Sequence, residues 1–154
     1  MTEIDEIDGL IVKILQGDGS ITNLAIAEEL NLSEATVRRR RTRLEQEGFI
    51  RRVGVVADPL KLGFSVVAII GVQVPVSRIL SVETEIKKLP EVHFLGLSTG
   101  KYAMMLEVWL RSNDELVKFT TEKLSSIDKS IQVEIFQFVR ISKYYGWAGD
   151  LRGS

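Results

Sequence analysis

Helix-type periodicity over residues 5–48, and strand-type segments alternating with two helices after residue 64, predict an α+β chain: an N-terminal winged helix-turn-helix followed by a ferredoxin-like βαββαβ domain. Composition agrees with a folded protein, since 45% of the 154 residues are hydrophobic and 27% charged, as in ordinary globular domains. At this length two small units would each bury a modest share of their surface, so a partner surface is expected to support them.

The N-terminal elements follow from spacing and punctuation. Ile7, Leu10, Ile11, Ile14 and Leu15 form one helical stripe behind Asp5, a residue suited to an N-cap, and Gly17-Asp18-Gly19-Ser20 ends that helix. A second, short helix starts near Thr22 or Asn23 and is expected to bury Ile26, Ala27 and Leu30. Asn31 follows where a residue tolerant of positive φ is wanted. Ser33 caps a third helix, with its seam through Val37 and Leu44 and its end at Gly48. A short helix, a three-to-four-residue turn and a longer basic helix make a helix-turn-helix. Phe49-Ile50-Arg51-Arg52-Val53-Gly54-Val55-Val56 reads as the strand of a wing, so the domain is expected over residues 1–57.

Charge gives this part its function. Residues 1–33 carry seven acids against Lys13 alone, whereas residues 34–52 carry seven arginines against three glutamates. Arg38, Arg39, Arg40, Arg41 and Arg43 would repel one another unless something anionic lay opposite. With Val37 inward on a helical wheel, Ala35, Thr36, Arg39 and Arg43 point away from the core, Arg38 and Arg40 lie on the flanks, and the stem of Arg41 packs on the domain. Small residues and arginines near a helix start suit the major groove, where arginine reads guanine, and flanking arginines suit phosphates. Ser33, Ala35, Thr36, Arg38, Arg39, Arg40 and Arg43 are the expected contacts to double-stranded DNA.

The second half changes pattern. Asp58-Pro59-Leu60-Lys61-Leu62-Gly63 is expected as a linker over 58–63, residues 64–142 as the second domain and 143–154 as a C-terminal tail. Strands are expected at 64–74, 92–98, 102–110 and 131–139. One helix is expected at 77–89, carrying Ile79, Val82, Ile86 and Leu89, and another behind Ser112-Asn113-Asp114-Glu115, read as a capping box, burying Leu116, Phe119, Leu124 and Ile127. Both helices of such a unit cover one sheet face. Yet the first strand is apolar on both sides, with Val66, Ala68, Ile70 and Val72 opposite Val67, Ile69 and Gly71, and the third sets Met104, Leu106 and Val108 against Ala103, Met105 and Trp109. A second copy is expected to cover the remaining face, giving a homodimer.

Much chemistry is excluded. Without cysteine there is no disulfide framework, thiolate zinc site or cysteine nucleophile, and His93 is the single histidine. No Gly-rich phosphate loop, Gly-x-Ser-x-Gly or metal-spaced cluster occurs. No cofactor, metal or catalytic residue is expected. An acidic start and the lack of an apolar run of ~20 residues suggest a cytoplasmic protein with no membrane partner.

These residues also carry a likeness. Ile4-Asp5-Glu6-Ile7-Asp8, Ile14-Leu15, the run from Ile26 to Ser33, Val37 with Arg40 and Leu44, Gly48-Phe49-Ile50, and Ser98-Thr99-Gly100-Lys101-Tyr102 stand in the order seen in the leucine-responsive regulators, and the chain resembles that Lrp/AsnC family as far as Tyr145-Gly146-Trp147. The resemblance implies a bacterial or archaeal transcriptional regulator, dimeric and often octameric, whose C-terminal domain binds a small effector, frequently an amino acid, at the loop Ser98, Thr99, Gly100, Lys101 and Tyr102. Asn31 replaces a common glycine and Arg41 a usually apolar residue. Lys101 and Ala103 stand where the family loop commonly carries acids. An acid is the natural partner of an ammonium group, so a loop with lysine instead favours an acidic metabolite or acidic amino acid. Two alternatives share the scaffold: a siroheme decarboxylase-like enzyme, to which Ile50-Arg51-Arg52-Val53-Gly54 and His93 are similar, and a DNA-compacting protein without effector.

Overall fold

The computed structural model describes residues 4–51, 53 and 57–142. They fall into two compact units, the second beginning at Ala57.

The first unit holds three helices, each started by its own cap. Helix α1 is Glu6–Gly17, with Asp5 as N-cap: the Asp8 N–H donates to the Asp5 carboxylate at 2.8 Å and the Asp5 N–H to that of Asp8 at 3.2 Å. Helix α2 is Asn23–Leu30, where the Thr22 hydroxyl accepts from the Ala25 N–H at 3.1 Å. It ends at Asn31, which takes the left-handed conformation (φ 54°, ψ 45°) and lets the Leu32 N–H reach the Ala27 carbonyl at 2.8 Å. Helix α3 is Glu34–Gln46, capped by Ser33 and followed by Gly48 at φ 78°. Ile11, Ile26, Ala27, Val37 and Leu44 form the core, with Ile7, Ile14, Leu15, Leu30 and Ile50 packed around it. Of the expected wing strand, residues 52 and 54–56 lie outside the described residues, and Phe49, Ile50, Arg51 and Val53 are irregular.

One inward position is polar. Leu10, expected on the apolar stripe, is 40% exposed, while Asp8 is fully buried. Asp8 sits three residues before Ile11 and seven before Leu15, on the same helix face. Its carboxylate is held by α3: Arg40 Nη1 donates to Asp8 Oδ1 at 2.9 Å and to Asp5 Oδ2 at 2.6 Å, and Arg43 Nη2 donates to Asp8 Oδ2. The Asp8 N–H, and then Arg40, hold the Asp5 carboxyl below the usual carboxylate range, and the same acids raise Arg40. A buried carboxylate persists only when paired and hydrogen-bonded. The pairs thus bolt α3 to α1.

The second unit is a four-stranded antiparallel sheet in the order β2-β3-β1-β4, with β1 Val66–Gln73, β2 Val92–Leu97, β3 Met104–Leu110 and β4 Gln132–Gln137. Residues 58–63, expected as a linker, form a compact turn in which the Asp58 carboxylate accepts from the Leu60 N–H at 2.9 Å and Gly63 adopts φ 85°. The helix expected at 77–89 begins as a 3₁₀ turn, Val76–Arg78, after Pro75, and its α-helical part, α4, is Ile79–Ile86. Helix α5 starts at Asn113–Lys118, widens to a π-helix over Phe119–Leu124 and closes with an α turn at Ser125–Ile127. Within it the Thr120 hydroxyl donates to the Leu116 carbonyl at 3.0 Å and that of Thr121 to the Val117 carbonyl at 2.8 Å, competing with the regular backbone pattern. The expected capping box is half realised: Ser112 caps the Glu115 N–H, but the Glu115 carboxylate accepts from the Arg111 N–H, one residue earlier.

Both helices pack on one face. Val66, Ala68, Ile70 and Val72 meet Val82, Ile86, Leu116, Phe119 and Leu124 there, together with Met104, Leu106 and Val108. The register then assigns the other face: Val67 pairs with Trp109, Ile69 with Glu107 and Phe136, and Phe94 with Glu107. In β2 simple alternation would put His93, Leu95 and Leu97 on one side. A bulge between Val92 and Phe94 breaks it, so Leu95 packs on the core while the His93 ring stacks on Trp109, centroids 3.8 Å apart. The expected tail, 143–154, lies outside the described residues.

Two outcomes follow. Asp8→Ala should destabilise the first unit by about 1–3 kcal/mol in denaturant titration, because Arg43 loses its partner, Arg40 keeps Asp5 alone and the capping box loses one arm. Partial desolvation of the otherwise exposed His93 ring lowers its pKa, opposed by Glu107. Stability is therefore full above the ordinary histidine value of 6.5 and declines as pH falls below it, since the unfolded chain takes up the proton more readily. The urea midpoint of the second unit should fall between pH 7.5 and 5.5, and by less in His93→Gln.

Candidate functional site

The basic helix places its side chains unequally. Ala35, Arg38, Arg39 and Thr42 are exposed on the outward face of α3, and Thr36 is half-buried beside its start. Ser33 and Thr36 are engaged with each other, their hydroxyls 2.8 Å apart and the Thr36 N–H donating to Ser33 at 3.2 Å, which fixes the first turn. Arg38 makes a loose pair with Glu34 at 3.7 Å, one turn back, with both side chains largely in solvent. Among the described residues Arg39 is the one arginine of the five in no ion pair.

The other three arginines face inward partners. The Arg41 guanidinium donates to Asn23 Oδ1 on α2 at 3.2 Å and, one turn along α3, to the exposed Glu45 Oε1 at 3.1 Å. Arg40 and Arg43 hold Asp8. The anion that such a run requires is thus supplied in part by α1. Thr42, on the exposed face, and Asp5 and Asp8, behind it, are the residues the sequence reading passed over. The position of Asp8 on the Ile11–Leu15 face was the signal for it.

In the second unit the loop between β2 and β3 brings Ser98, Thr99, Gly100, Lys101 and Tyr102 to the sheet edge. Gly100 takes φ 106°, the Ser98 hydroxyl donates to the Tyr102 carbonyl at 2.7 Å, and the Ala103 N–H donates to the Val72 carbonyl at 2.9 Å. The loop is therefore pinned to itself and to β1. The Tyr102 ring lies flat against Gly71, where a Cβ would stand 2.7 Å from ring atoms, so glycine is required at that point of β1. Its hydroxyl donates to the Glu134 carboxylate on β4, and so does Lys101 Nζ, which also lies 4.9 Å from the tyrosine ring centroid. The positive charge expected of Lys101 is opposed by Glu134, which Gly71 faces across the β1–β4 ladder. Neither acid nor lysine here is a lone charge.

Among the described residues there is no cluster of His, Asp and Glu that could hold a metal ion, and no helix is long and apolar enough to cross a membrane.

Both units match known families. Residues 4–51 match a winged helix-turn-helix DNA-binding domain and residues 67–147 the Lrp/AsnC ligand binding domain. An uncharacterized HTH-type transcriptional regulator of Pyrococcus horikoshii is 37% identical over 148 residues, covering 95% of this chain and 92% of that protein. The structure of Escherichia coli AsnC superposes with a TM-score of 0.84 at 26% identity, over 93% of this chain and 97% of the other. A transcriptional regulator of Neisseria meningitidis, solved as its L-Met complex, superposes at 0.83 with 23% identity, over 92% and 94% of the two chains. A DNA-binding helix-turn-helix and an effector-binding βαββαβ domain, matched in order along nearly the whole chain, place this protein in the Lrp/AsnC family of transcriptional regulators.

Proposed function

We propose that the protein binds double-stranded DNA through the outward face of α3, with Ala35, Thr36 and Arg39 toward base edges and Arg38 toward phosphate, as a two-fold dimer whose recognition helices enter half-sites about 34 Å apart or a multiple of that. The observation that carries this reading is the exposure of Arg39 and Arg38 beside two small residues on one helix face. Arg39→Ala should cost about 1–3 kcal/mol on the best duplex selected from a random library and far less on an unrelated duplex, measured by fluorescence anisotropy. Equal losses on both would turn the reading toward DNA compaction without sequence preference.

Dimerisation is assigned to the sheet face that the helices leave uncovered. Phe94, Phe136 and Phe138 are 49%, 44% and 45% exposed there, around Val67, Ile69 and Met105. A patch of this kind exceeds what monomers usually leave in water. Ile69 lies at its centre, paired with Glu107 on one side and Phe136 on the other. Ile69→Asp in the full chain should sediment as a monomer at micromolar concentration; a dimer unchanged by that carboxylate would place the interface elsewhere.

The loop 98–102 is assigned to a small effector. The exposed Thr99 and the backbone at Gly100 offer donors to a carboxylate, Ser98 shapes the loop through its bond to the Tyr102 carbonyl, and Lys101 and Glu134 place opposite charges side by side. That pairing favours a zwitterionic amino acid over the purely anionic ligand that lysine alone suggested, and the Neisseria relative was solved with L-Met. No enzymatic role is inferred: the His93 ring is stacked on Trp109, Glu107 beside it accepts the Trp109 indole N–H, and β3 carries no arginine or histidine. A cytoplasmic location accords with a regulator of transcription. Calorimetric titration with methionine, leucine, lysine, glutamate and 2-oxo acids tests the ligand class. Heat with an α-amino acid, abolished in Glu134→Gln, is the expected result, and binding of 2-oxo acids alone would restore the anionic reading.

A further inference from the structure

Charge alone makes the five arginines of α3 equivalent; their geometry does not. Two of them point back at α1, where Arg40 Nη1 bridges Asp5 and Asp8 and Arg43 Nη2 meets the second oxygen of Asp8. The Asp8 side chain is wholly buried, that of Arg40 is 21% exposed and that of Arg43 39%. The Nε of each arginine is also buried, with no hydrogen-bond partner, and one Nη of each is committed to an acid of α1.

We propose that Asp8, with Asp5, acts as an internal stand-in for DNA phosphate: it occupies Arg40 and Arg43 and keeps them out of the DNA interface, so that α3 meets DNA with Arg38 and Arg39. This rests on the reading of α3 as the DNA-contacting helix. The physical ground is a competition between anions for the same guanidinium groups. Asp8 is already in place and in a site shielded from water, whereas a phosphate must be brought in from solution and meets the arginine at an exposed surface. Pulling either arginine away would leave one charge-assisted bond to a buried carboxylate unmade, and such a bond is worth more than an exposed phosphate contact. The acids thereby limit how many counterions the helix displaces, and so how strongly the protein holds DNA of any sequence.

Salt dependence reads this directly, because each phosphate contact contributes about 0.9 to the slope of log affinity against log salt on duplex DNA. The full-length protein is titrated with one fixed duplex across a salt series, as wild type and as Arg38→Gln, Arg39→Gln, Arg40→Gln and Arg43→Gln, each checked for its helical circular-dichroism signal. Arg38→Gln should flatten the slope by about one contact per subunit and Arg39→Gln should weaken binding, while Arg40→Gln and Arg43→Gln leave both slope and affinity near wild type. Asp5 is half exposed, so Asp5→Asn folds even where changes at Asp8 or its arginines do not. It removes one of the two acids on Arg40, which Asp8 still holds, and should steepen the slope by less than one contact per subunit, whereas Glu6→Gln, an exposed neighbour that pairs with neither arginine, should leave it unchanged. Flattening by Arg40→Gln or Arg43→Gln equal to that of Arg38→Gln, or equal effects of Asp5→Asn and Glu6→Gln, would overturn the proposal. Indifference of all four arginine variants would instead remove the α3 reading on which it rests.

Discussion

The burial of the Asp8 carboxylate is the constraint on which the first unit depends. A three-helix unit with five fully or nearly fully buried apolar side chains has little core to spare, and one of its inward positions is spent on a charge. That charge is tolerable because α3 brings Arg40 and Arg43 to its two oxygens and the α1 capping turn brings the Asp5 N–H. A pair of Asp8 with leucine or methionine in place of the arginines could not exist, and a fully apolar seam would fix α3 less specifically along α1. The same contacts that orient the helix also determine which of its arginines face solvent. Position and electrostatics of the outward face are therefore one property of the sequence, set behind the face rather than on it.

In the second unit the corresponding constraint is the two-sidedness of β1. It is one of the two inner strands, hydrogen-bonded to β3 and β4, and on the face the helices leave open Val67 and Gly71 are buried and Ile69 half-buried. Neighbouring side chains shield part of the open face: Val67 beneath Trp109, and Glu107, which accepts the Trp109 indole N–H at 2.7 Å. What remains exposed is carried by the outer strands, as Phe94 on β2 and Phe136 on β4. The apolar patch thus lies along the sheet rather than at one spot, the form suited to a flat, self-complementary contact.

Gly71 connects this sheet to the loop. Because it has no side chain, Tyr102 can lie on β1 and reach across to Glu134 on β4, so one loop residue touches both members of a strand pair. Lys101 completes the group. A ligand at the loop that engages Lys101 or Glu134 must exchange these contacts for its own. It can alter the assembly only by the difference in its affinity for the arrangements in which they are made and broken. The sheet edge, and not the helices, is where such a difference would arise.

The elements were legible because each carries its own punctuation: Asp5, Thr22 and Ser33 open helices, Asn31 and Gly48 end them, and short, nearly unbroken apolar runs mark β1 and β3. The order βαββαβ followed from these without any contact being known. What the sequence hid was pairing at a distance. Counting arginines against acids showed two blocks of opposite charge, but the count is blind to the fact that residues 5, 8, 40 and 43 meet, a matter of which helix faces which. The same blindness left Lys101 without Glu134, 33 residues away on another strand. His93 failed differently, since a bulge is an extra residue in a strand and strict alternation cannot register it. Local chemistry is written in neighbouring residues, whereas the charge a site presents is decided by contacts that only the folded chain creates. For this protein that means the five arginines mark α3 as the basic helix, and two aspartates hold two of them against α1.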